Sequence, residues 1–217
     1  MIEITELFEI VSGNLYRVQT SKDSKLTQVQ SLFSFIDYDE LRMFQLSYIP
    51  GPLQTRGYIR GIFRADIFST PADVDVKTDL NTAINERVIQ VEKTRDSNKK
   101  FCFLIHENAL HTKVCSQEQM VEQIETIKLI SHQAHIEIGI IPLRLNYLNL
   151  DVEPPQLSFD LFDKKLLIIQ GHPSSINVWD AELIEGYSQY FDKLKAVALF
   201  GEYLIAELDR IILVLDM

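Results

Sequence analysis

The sequence has little of three things that would define a function class: cysteine, basic charge and long apolar runs. Only two cysteines occur among the 217 residues, Cys102 and Cys115, which is too few for the disulfide framework of a small secreted domain. We therefore expect a reducing, cytoplasmic setting. Lys and Arg number 21 against 31 Asp and Glu, and the net charge of −10 repels phosphate backbones, which argues against direct nucleic-acid binding.

The N-terminus also lacks the features of a secretory signal. Residues 1–6 carry acidic side chains where a signal peptide carries basic ones, and no apolar segment with a small-residue cleavage site follows. The most apolar stretch, Leu204 to Leu215, is interrupted by Glu207, Asp209 and Arg210 and is too short to span a bilayer. We expect no membrane association and read this stretch as a packed terminal helix.

The hydrophobic content of 46% is enough for a chain of this length to bury a core without disulfides or a metal. The order of the apolar patterns predicts one domain over residues 1–217 of the α+β class. Its first part, about 1–97, is expected to be a helical lobe. Its second part, about 98–217, is expected to hold a small mixed sheet flanked by helices.

Apolar residues near helical spacing predict three helices in the first part. The first is expected from Val29 to Ile49, where the Pro-Gly-Pro segment that follows forbids continuation. A shorter helix is predicted from about Leu53, and a third runs from Asp79 to Arg95.

The second part alternates strand and helix signals. The apolar run Phe101–Ile105 predicts a strand buried on both faces, and Ile136–Ile141 predicts a second strand parallel to it. Between them, Ser116 and Gln119 form the pattern of a capping box. Further on, a hairpin is predicted around Asp163–Lys165, another strand at 176–179, and helices after residues 180 and 201.

Ile49-Pro50-Gly51-Pro52-Leu53-Gln54-Thr55, followed by Tyr58 and Arg60, resembles the Pro-Gly-Leu-Leu-Gln-Thr signature of a family of unknown biochemical function. That family usually lies C-terminal to an XRE-type helix-turn-helix in antitoxin-like bacterial transcriptional regulators. Arg87 and Glu107 fall in the order of the family's later landmarks, and the resemblance runs from about residue 32 to about residue 210. The sequence departs from the family pattern at Pro52 and at 90–91.

The resemblance implies a regulatory or sensor module that binds a small ligand, with an anion as one option, or a protein partner. The residues that precede the match are too few for a helix-turn-helix bundle. We therefore expect the module to act with a separate helix-turn-helix protein, and a homodimer is an open alternative.

Four residues are the candidate ligand-binding set: Tyr58, Arg60, Arg87 and Glu107. Arg60 and Arg87 could hold an anion through bidentate hydrogen bonds, although a stripe of arginines at 56, 60 and 64 is also what a solvated basic face looks like. Glu107 follows a predicted buried strand and could accept hydrogen bonds from Arg60 or Arg87, or take part in a structural ion pair.

Two other classes of function remain open. One is an enzyme that uses Glu107 and a histidine as acid and base, and the other is an oligomerisation module. His106 and His111 are five residues apart and cannot share one helix face as zinc-protease histidines do, while His132 and His135 could reach a metal only with further ligands. No phosphate loop, dinucleotide fingerprint or nucleophile elbow is present, so we expect no cofactor, no metal and no catalytic nucleophile.

Overall fold

A computed structural model of the chain describes residues 5–11, 14–20, 38–67, 76–95, 98–170 and 175–215. The strands are β1 (Thr5–Val11), β2 (Asn14–Thr20), β3 (Glu40–Gln45), β4 (Lys100–His106), β5 (Ile136–Ile141), β6 (Ser158–Phe162), β7 (Leu166–Gln170) and β8 (Ser175–Val178). The helices are α1 (Arg56–Ile67), α2 (Val76–Arg95), α3 (Asn108–His111), α4 (Gln117–Ile130), α5 (Ala181–Val197) and α6 (Gly201–Leu215). Short 3-10 turns lie at Gly51–Leu53 and Tyr147–Asn149.

All eight strands belong to one mixed sheet in the order β1-β2-β8-β7-β6-β3-β4-β5. Strands β3, β4 and β5 are parallel, whereas β6 runs antiparallel to β3 and the remaining neighbours are antiparallel to each other. The carboxyl ends of the three parallel strands and the first residues of β6 therefore lie along one edge, which is where such sheets commonly place functional groups.

Both faces of the sheet are covered by helices. On one face, β3–β7 pack against α1, α4 and α6, in a core that includes Met43, Phe103 and Ile124. On the other face, Phe159 and its neighbours pack against α5. A smaller contact joins α1 to α2 through Ile84. The α+β class expected from the sequence is confirmed.

The helix expected over 29–49 is wrong for its last part, because Glu40–Gln45 is a central strand. Leu41 and Met43 face one core while Phe44 faces the other. Polar and apolar residues alternate only from Glu40 to Met43, and Phe44 also fits the helical spacing of the preceding apolar residues, so the pattern did not decide between a helix and a strand. The rest of that prediction, 29–37, lies outside the described residues.

The helical lobe expected over about 1–97 needs the same correction. Strands β1, β2 and β3 all come from that part of the sequence and join the sheet, so the sheet is not confined to residues 98–217. The helices expected from about Leu53 and from Asp79 to Arg95 are confirmed as α1 and α2. No strand was predicted from the sequence for β1 or β2.

The later elements follow the sequence closely. The parallel pair β4–β5 is confirmed, and Ser116 and Gln119 cap α4 reciprocally as expected. The β6–β7 hairpin turns at Asp163 and Lys164, which adopt positive φ values of 46° and 55°. The Asp163 carboxylate accepts the N–H groups of Asp39 at 2.9 Å and Glu40 at 2.7 Å, which fixes the hairpin to the start of β3.

None of the helices in the described ranges combines the length and the apolar composition needed to cross a membrane.

Candidate functional site

The signature segment forms a corner between β3 and α1, and its side chains hold that corner closed. Gln54 Nε2 donates to the carbonyl of Ile49 at 2.8 Å, and the Thr55 hydroxyl accepts the N–H of Tyr58 at the start of α1. The Tyr58 hydroxyl in turn accepts the N–H of Ile49 at 3.0 Å. Burial raises the pKa of Tyr58, whose side chain is fully buried. The contacts of Tyr58 therefore lie within the corner, which its hydroxyl group helps to close.

Two residues outside the signature complete this corner. Gln123, buried in α4, accepts the N–H of Thr55 at 2.7 Å and donates to the carbonyl of Leu53 at 2.8 Å. Arg95 Nε donates to the carbonyl of Pro52 at 3.1 Å. Gln123 falls in the order of the family's landmarks, but its bonds to the corner were not predicted. An isolated Gln or Arg within a helix carries no local signal of a long-range bond.

Replacing Gln123 by alanine is expected to destabilise the protein by roughly 2–4 kcal/mol, because it leaves one buried N–H and one buried carbonyl without a partner. Urea unfolding followed by circular dichroism measures the change. Gln133→Ala serves as the control, since Gln133 is exposed just beyond the same helix and its replacement should change little. An unchanged unfolding free energy in Gln123→Ala would show that the corner does not depend on this side chain.

Gly51 leaves room for the side chain of Arg87 in α2. A Cβ atom on Gly51 would lie 2.0 Å from Nη2 of Arg87, so only glycine lets the guanidinium pack against the turn. Burial lowers the pKa of Arg87 to about 10, although the nearby Asp160 acts in the opposite direction. Arg87 forms no hydrogen bond or ion pair with any of the residues that the structure describes. Its side chain is only partly buried and remains within reach of solvent.

The carboxyl group whose charge acts on Arg87 belongs to Asp160 in strand β6. Asp160 is 3% exposed and accepts hydrogen bonds from Gln45 Nε2 at 3.2 Å and from Gln170 Nε2 at 2.7 Å. Burial raises the pKa of Asp160 to about 7, against the opposing effect of the two amides and Arg87. Near neutral pH this group is therefore poised between its neutral and charged forms.

We call Arg87, Asp160, Gln45 and Gln170 the buried polar site. Gln45 ends β3, Gln170 ends β7, and Asp160 lies in the middle of β6, the strand between them, within hydrogen-bond reach of both amides. Only Arg87 was predicted from the sequence. The sequence did contain a signal for Asp160. It lies two residues before the buried Phe162, so its carboxyl group is on the apolar, inward-facing side of the strand, where burial of a polar group is costly.

Glu107 belongs to a second, separate cluster. It follows the buried strand β4, as expected, and is the N-cap residue of the short helix α3, but its partners are neither Arg60 nor Arg87. Its carboxylate accepts the N–H of Leu143 at 2.7 Å, lies 3.2 Å from Nε2 of His111 and is bonded by Arg210 of α6. Burial raises the pKa of Glu107, but these three partners together hold it below its usual range.

Glu207 extends this second cluster along α6. It forms a two-pronged pair with Arg144, at 2.8 Å and 2.9 Å, and also bonds Arg210 at 2.8 Å. The cluster ties the carboxyl ends of β4 and β5 to the terminal helix. Both carboxylates, Glu107 and Glu207, accept hydrogen bonds from protein groups. Of the two roles that the sequence left open for Glu107, its contacts fit the structural ion pair.

The other charged residues singled out in the sequence lie apart from the buried polar site. Arg60 is exposed on α1, and Arg56 bonds Asn85 across the α1–α2 contact. His106 accepts the N–H of Asn108, and His135 Nε2 lies 2.8 Å from the carbonyl of Arg95. Within the described ranges no three Asp, Glu, His or Cys side chains are grouped as a metal site would require.

The role of Gly51 is testable with a matched pair of glycine replacements. Gly51→Ala is expected to displace the Arg87 guanidinium and to destabilise the protein, because the new methyl group would overlap Nη2. Gly186→Ala in α5 meets nothing within 4 Å and should stabilise the helix by up to about 1 kcal/mol. Thermal unfolding compares the two. Equal behaviour of both variants would contradict the close approach of Arg87 to the turn.

Comparison with known proteins identifies a family for this chain. No curated protein matches the sequence. Among solved structures, NucT from Helicobacter pylori is similar over 75% of this chain and 82% of its own, with 10% sequence identity and a TM-score of 0.36. The family model described as "Domain of unknown function (DUF5753)" matches residues 39–209. That range spans β3 to α6 and contains both the corner and the buried polar site, and the chain belongs to the DUF5753 family.

Proposed function

We propose that this protein is a regulatory sensor module that binds a small anionic ligand at Arg87 in the buried polar site. The observation that carries the proposal is a partly buried guanidinium held against Gly51. Among the residues that the structure describes, the carboxyl group whose charge acts on it is Asp160, which has a raised pKa. A partly desolvated arginine of this kind stabilises an anion more strongly than an exposed one does.

The chemistry of the site sets the ligand class. Arg87 presents a planar, two-pronged donor that suits a carboxylate or a phosphate. Asp160, in its neutral form, and the amides of Gln45 and Gln170 add neutral polar groups beside it. A small polar anion that carries further hydroxyl or amide groups fits this set better than an apolar one does.

Proton uptake couples to this binding. A bound anion next to Asp160 would repel its ionised carboxylate, so binding favours the neutral form of Asp160. Binding should therefore be tighter below pH 7 than above it. The bound ligand would thereby reorganise the α2–sheet contact at the family's signature turn. In the proposal, a separate DNA-binding protein reads this change, in keeping with the regulators that the sequence resembles.

A thermal-shift panel of nucleotides, sugar phosphates, amino acids and dicarboxylic acids tests the proposal, because a ligand of the folded state raises the melting temperature. At least one anion should stabilise the wild type, and Arg87→Met should lose that shift. Loss of a charge-assisted hydrogen-bond pair is expected to weaken binding by at least about tenfold.

Arg60→Met is the matched control, since it removes the same charge from an exposed position one helix away. It should retain the full ligand-induced shift. A shift that survives in Arg87→Met, or an absence of any shift across the anions, would refute the assignment of Arg87 as the binding residue.

A further inference from the structure

Asp160 changes its charge near neutral pH, because burial raises its pKa to about 7, but the side chain is covered. The residue is 3% exposed, and its cross-strand neighbours Met43 and Ile168 are buried as well. Both carboxylate oxygens are bonded, since Oδ1 accepts a hydrogen bond from Gln45 Nε2 at 3.2 Å and Oδ2 accepts one from Gln170 Nε2 at 2.7 Å. A hydrogen-bonded link from Asp160 to a ligand must therefore pass through one of these amides.

The two glutamines differ in exposure. Gln45 is 4% exposed at the end of β3, whereas Gln170 is partly exposed at the end of β7. Arg87, whose charge acts on Asp160, is also partly exposed. Gln170 is therefore the amide that joins the buried carboxyl group to the solvent side of the site. A ligand can contact Gln170 and Arg87 while Asp160 stays covered.

The orientation of the Gln170 amide suits the ionised form of Asp160. A carboxylate only accepts hydrogen bonds, and the two amide nitrogens supply donors to it. A neutral carboxyl group also carries an O–H donor, which costs free energy if it is buried without an acceptor. The side-chain oxygen of either glutamine provides that acceptor once the amide turns over. Gln170 has more room to turn, because it is less buried than Gln45.

Turning the amide exchanges the group that Gln170 presents on its other side. While Asp160 is ionised, that group is the amide oxygen, which repels an anion. Once Asp160 is neutral, the group is the Nε2 nitrogen with its hydrogens, which donates hydrogen bonds. Within the described residues, the charged group that acts on the proton equilibrium of Asp160 is Arg87. A donor from Gln170 beside this guanidinium completes a two-residue site for a carboxylate.

We propose that Gln170 transmits the protonation state of Asp160 to a carboxylate ligand held by Arg87. This role rests on the anion site at Arg87 proposed above, to which it adds a ligand class and a binding residue. When Asp160 takes up a proton, its O–H group donates to Gln170 Oε1, and Gln170 Nε2 donates to the ligand. Arg87 balances the single negative charge of a carboxylate. A phosphate monoester carries about two negative charges at pH 7 and leaves the excess unbalanced in a partly desolvated site.

Hydrogen exchange in the ligand-free protein tests the turn of the amide by itself. The side-chain N–H signals of Gln170 and Gln45 are assigned by their loss in Gln170→Met and Gln45→Met, and their protection is measured by NMR at pH 6 and pH 8. Protection of the Gln170 Nε2 hydrogens should fall severalfold at pH 6, where they leave the Asp160 carboxylate, and Asp160→Asn should abolish the difference. Gln45 should keep equal protection at both values. Equal protection of Gln170 at pH 6 and pH 8 would overturn the proposal.

Glycerate and glycerol 3-phosphate are matched probes of the ligand class, because both are small hydroxylated anions and they differ in the anionic group. Their affinities for the full chain are measured by NMR titration at pH 6, and glycerate should bind at least tenfold more tightly. Gln170→Met should weaken glycerate binding at least tenfold, because it removes a hydrogen bond to a charged group. Gln45→Met should change it less than threefold, since Asp160 is already mostly neutral at pH 6.

Tighter binding of glycerol 3-phosphate, or glycerate binding that ignores Gln170→Met, would overturn the proposal. The two experiments also separate this role of Gln170 from the anion site on which it rests. If neither probe binds although the exchange of Gln170 depends on pH, the anion site at Arg87 is the part that fails, and the transmission to a ligand fails with it.

Discussion

Replacing Asp160 by asparagine is expected to make the protein more stable than the wild type at pH 8, an unusual outcome for a buried, hydrogen-bonded residue. The pKa of Asp160 is about 7 in the folded state, against an ordinary value of 3.8. Because the folded pKa is raised, the stability that this group contributes is fully present below about pH 4 and is lost as pH rises through about 7.

The expected size follows from the same shift. Each unit of pKa difference corresponds to about 1.4 kcal/mol, so the wild type loses on the order of 4 kcal/mol between pH 4 and pH 7 through this residue. Asparagine cannot ionise and should remove that loss, while either Gln45 or Gln170 turns its amide to keep a hydrogen bond. Urea unfolding of both proteins from pH 5 to pH 8 measures the difference in slope.

Asp163→Asn is the control, because it changes an acid in the same hairpin whose pKa is shifted the other way. Burial raises the pKa of Asp163, but the N–H groups of Glu40 and Asp39 lower it below its usual range. Its contribution is therefore present above its unfolded pKa, and Asp163→Asn should lower stability at pH 7 by about 1–3 kcal/mol. If Asp160→Asn also lowered stability at pH 8, the raised pKa of Asp160 would be disproved.

Replacing Glu107 by alanine is expected to cost roughly 2–4 kcal/mol of stability, because it removes a buried carboxylate that accepts hydrogen bonds from the N–H of Leu143 and from Arg210. The N–H of Leu143 would lose its acceptor, and Arg210 would lose one of its two carboxylates. Since the pKa of Glu107 is lowered, its contribution is present above its unfolded pKa and is lost as pH falls through the folded value. The difference between variant and wild type should therefore narrow on acidification.

Two variants show whether the loss belongs to this network. Glu107→Gln keeps an acceptor for Leu143 and should lose less than Glu107→Ala. Glu185→Ala, which removes an exposed partner of Lys164, should leave the unfolding free energy nearly unchanged. A Glu107→Ala protein as stable as the wild type would mean that the cluster does not anchor α6 to the sheet.

The fold was predictable from sequence where patterns are local. Three elements could be predicted from a few neighbouring residues: the capping box at Ser116, strand β4 and the turn at Asp163. Strand β3 was not predictable in this way, because its polar and apolar residues alternate for only four positions before two successive buried residues, Phe44 and Gln45. The pairing of β3 with both β4 and β6 is a long-range choice that local spacing does not contain.

The site was predictable only in part, for a related reason. Arg87 could be named because it falls in the order of the family's landmarks, yet its partner Asp160 lies in a distant hairpin and is brought near only by the sheet. Tyr58 and Arg60 share the signature with Gly51, but one closes the corner and the other faces solvent. Position within the motif therefore did not show which of its residues is buried in the corner and which is exposed.

Titration calorimetry with the best anion of the panel, at pH 6 and pH 8, tests the central claim most directly. If Arg87 and Asp160 form an anion site, the wild type should bind more tightly at pH 6, Asp160→Asn should bind equally at both values, and Arg87→Met should give no binding heat. Unaltered affinity in Arg87→Met would contradict the account, and the anion would then have to be sought at another surface.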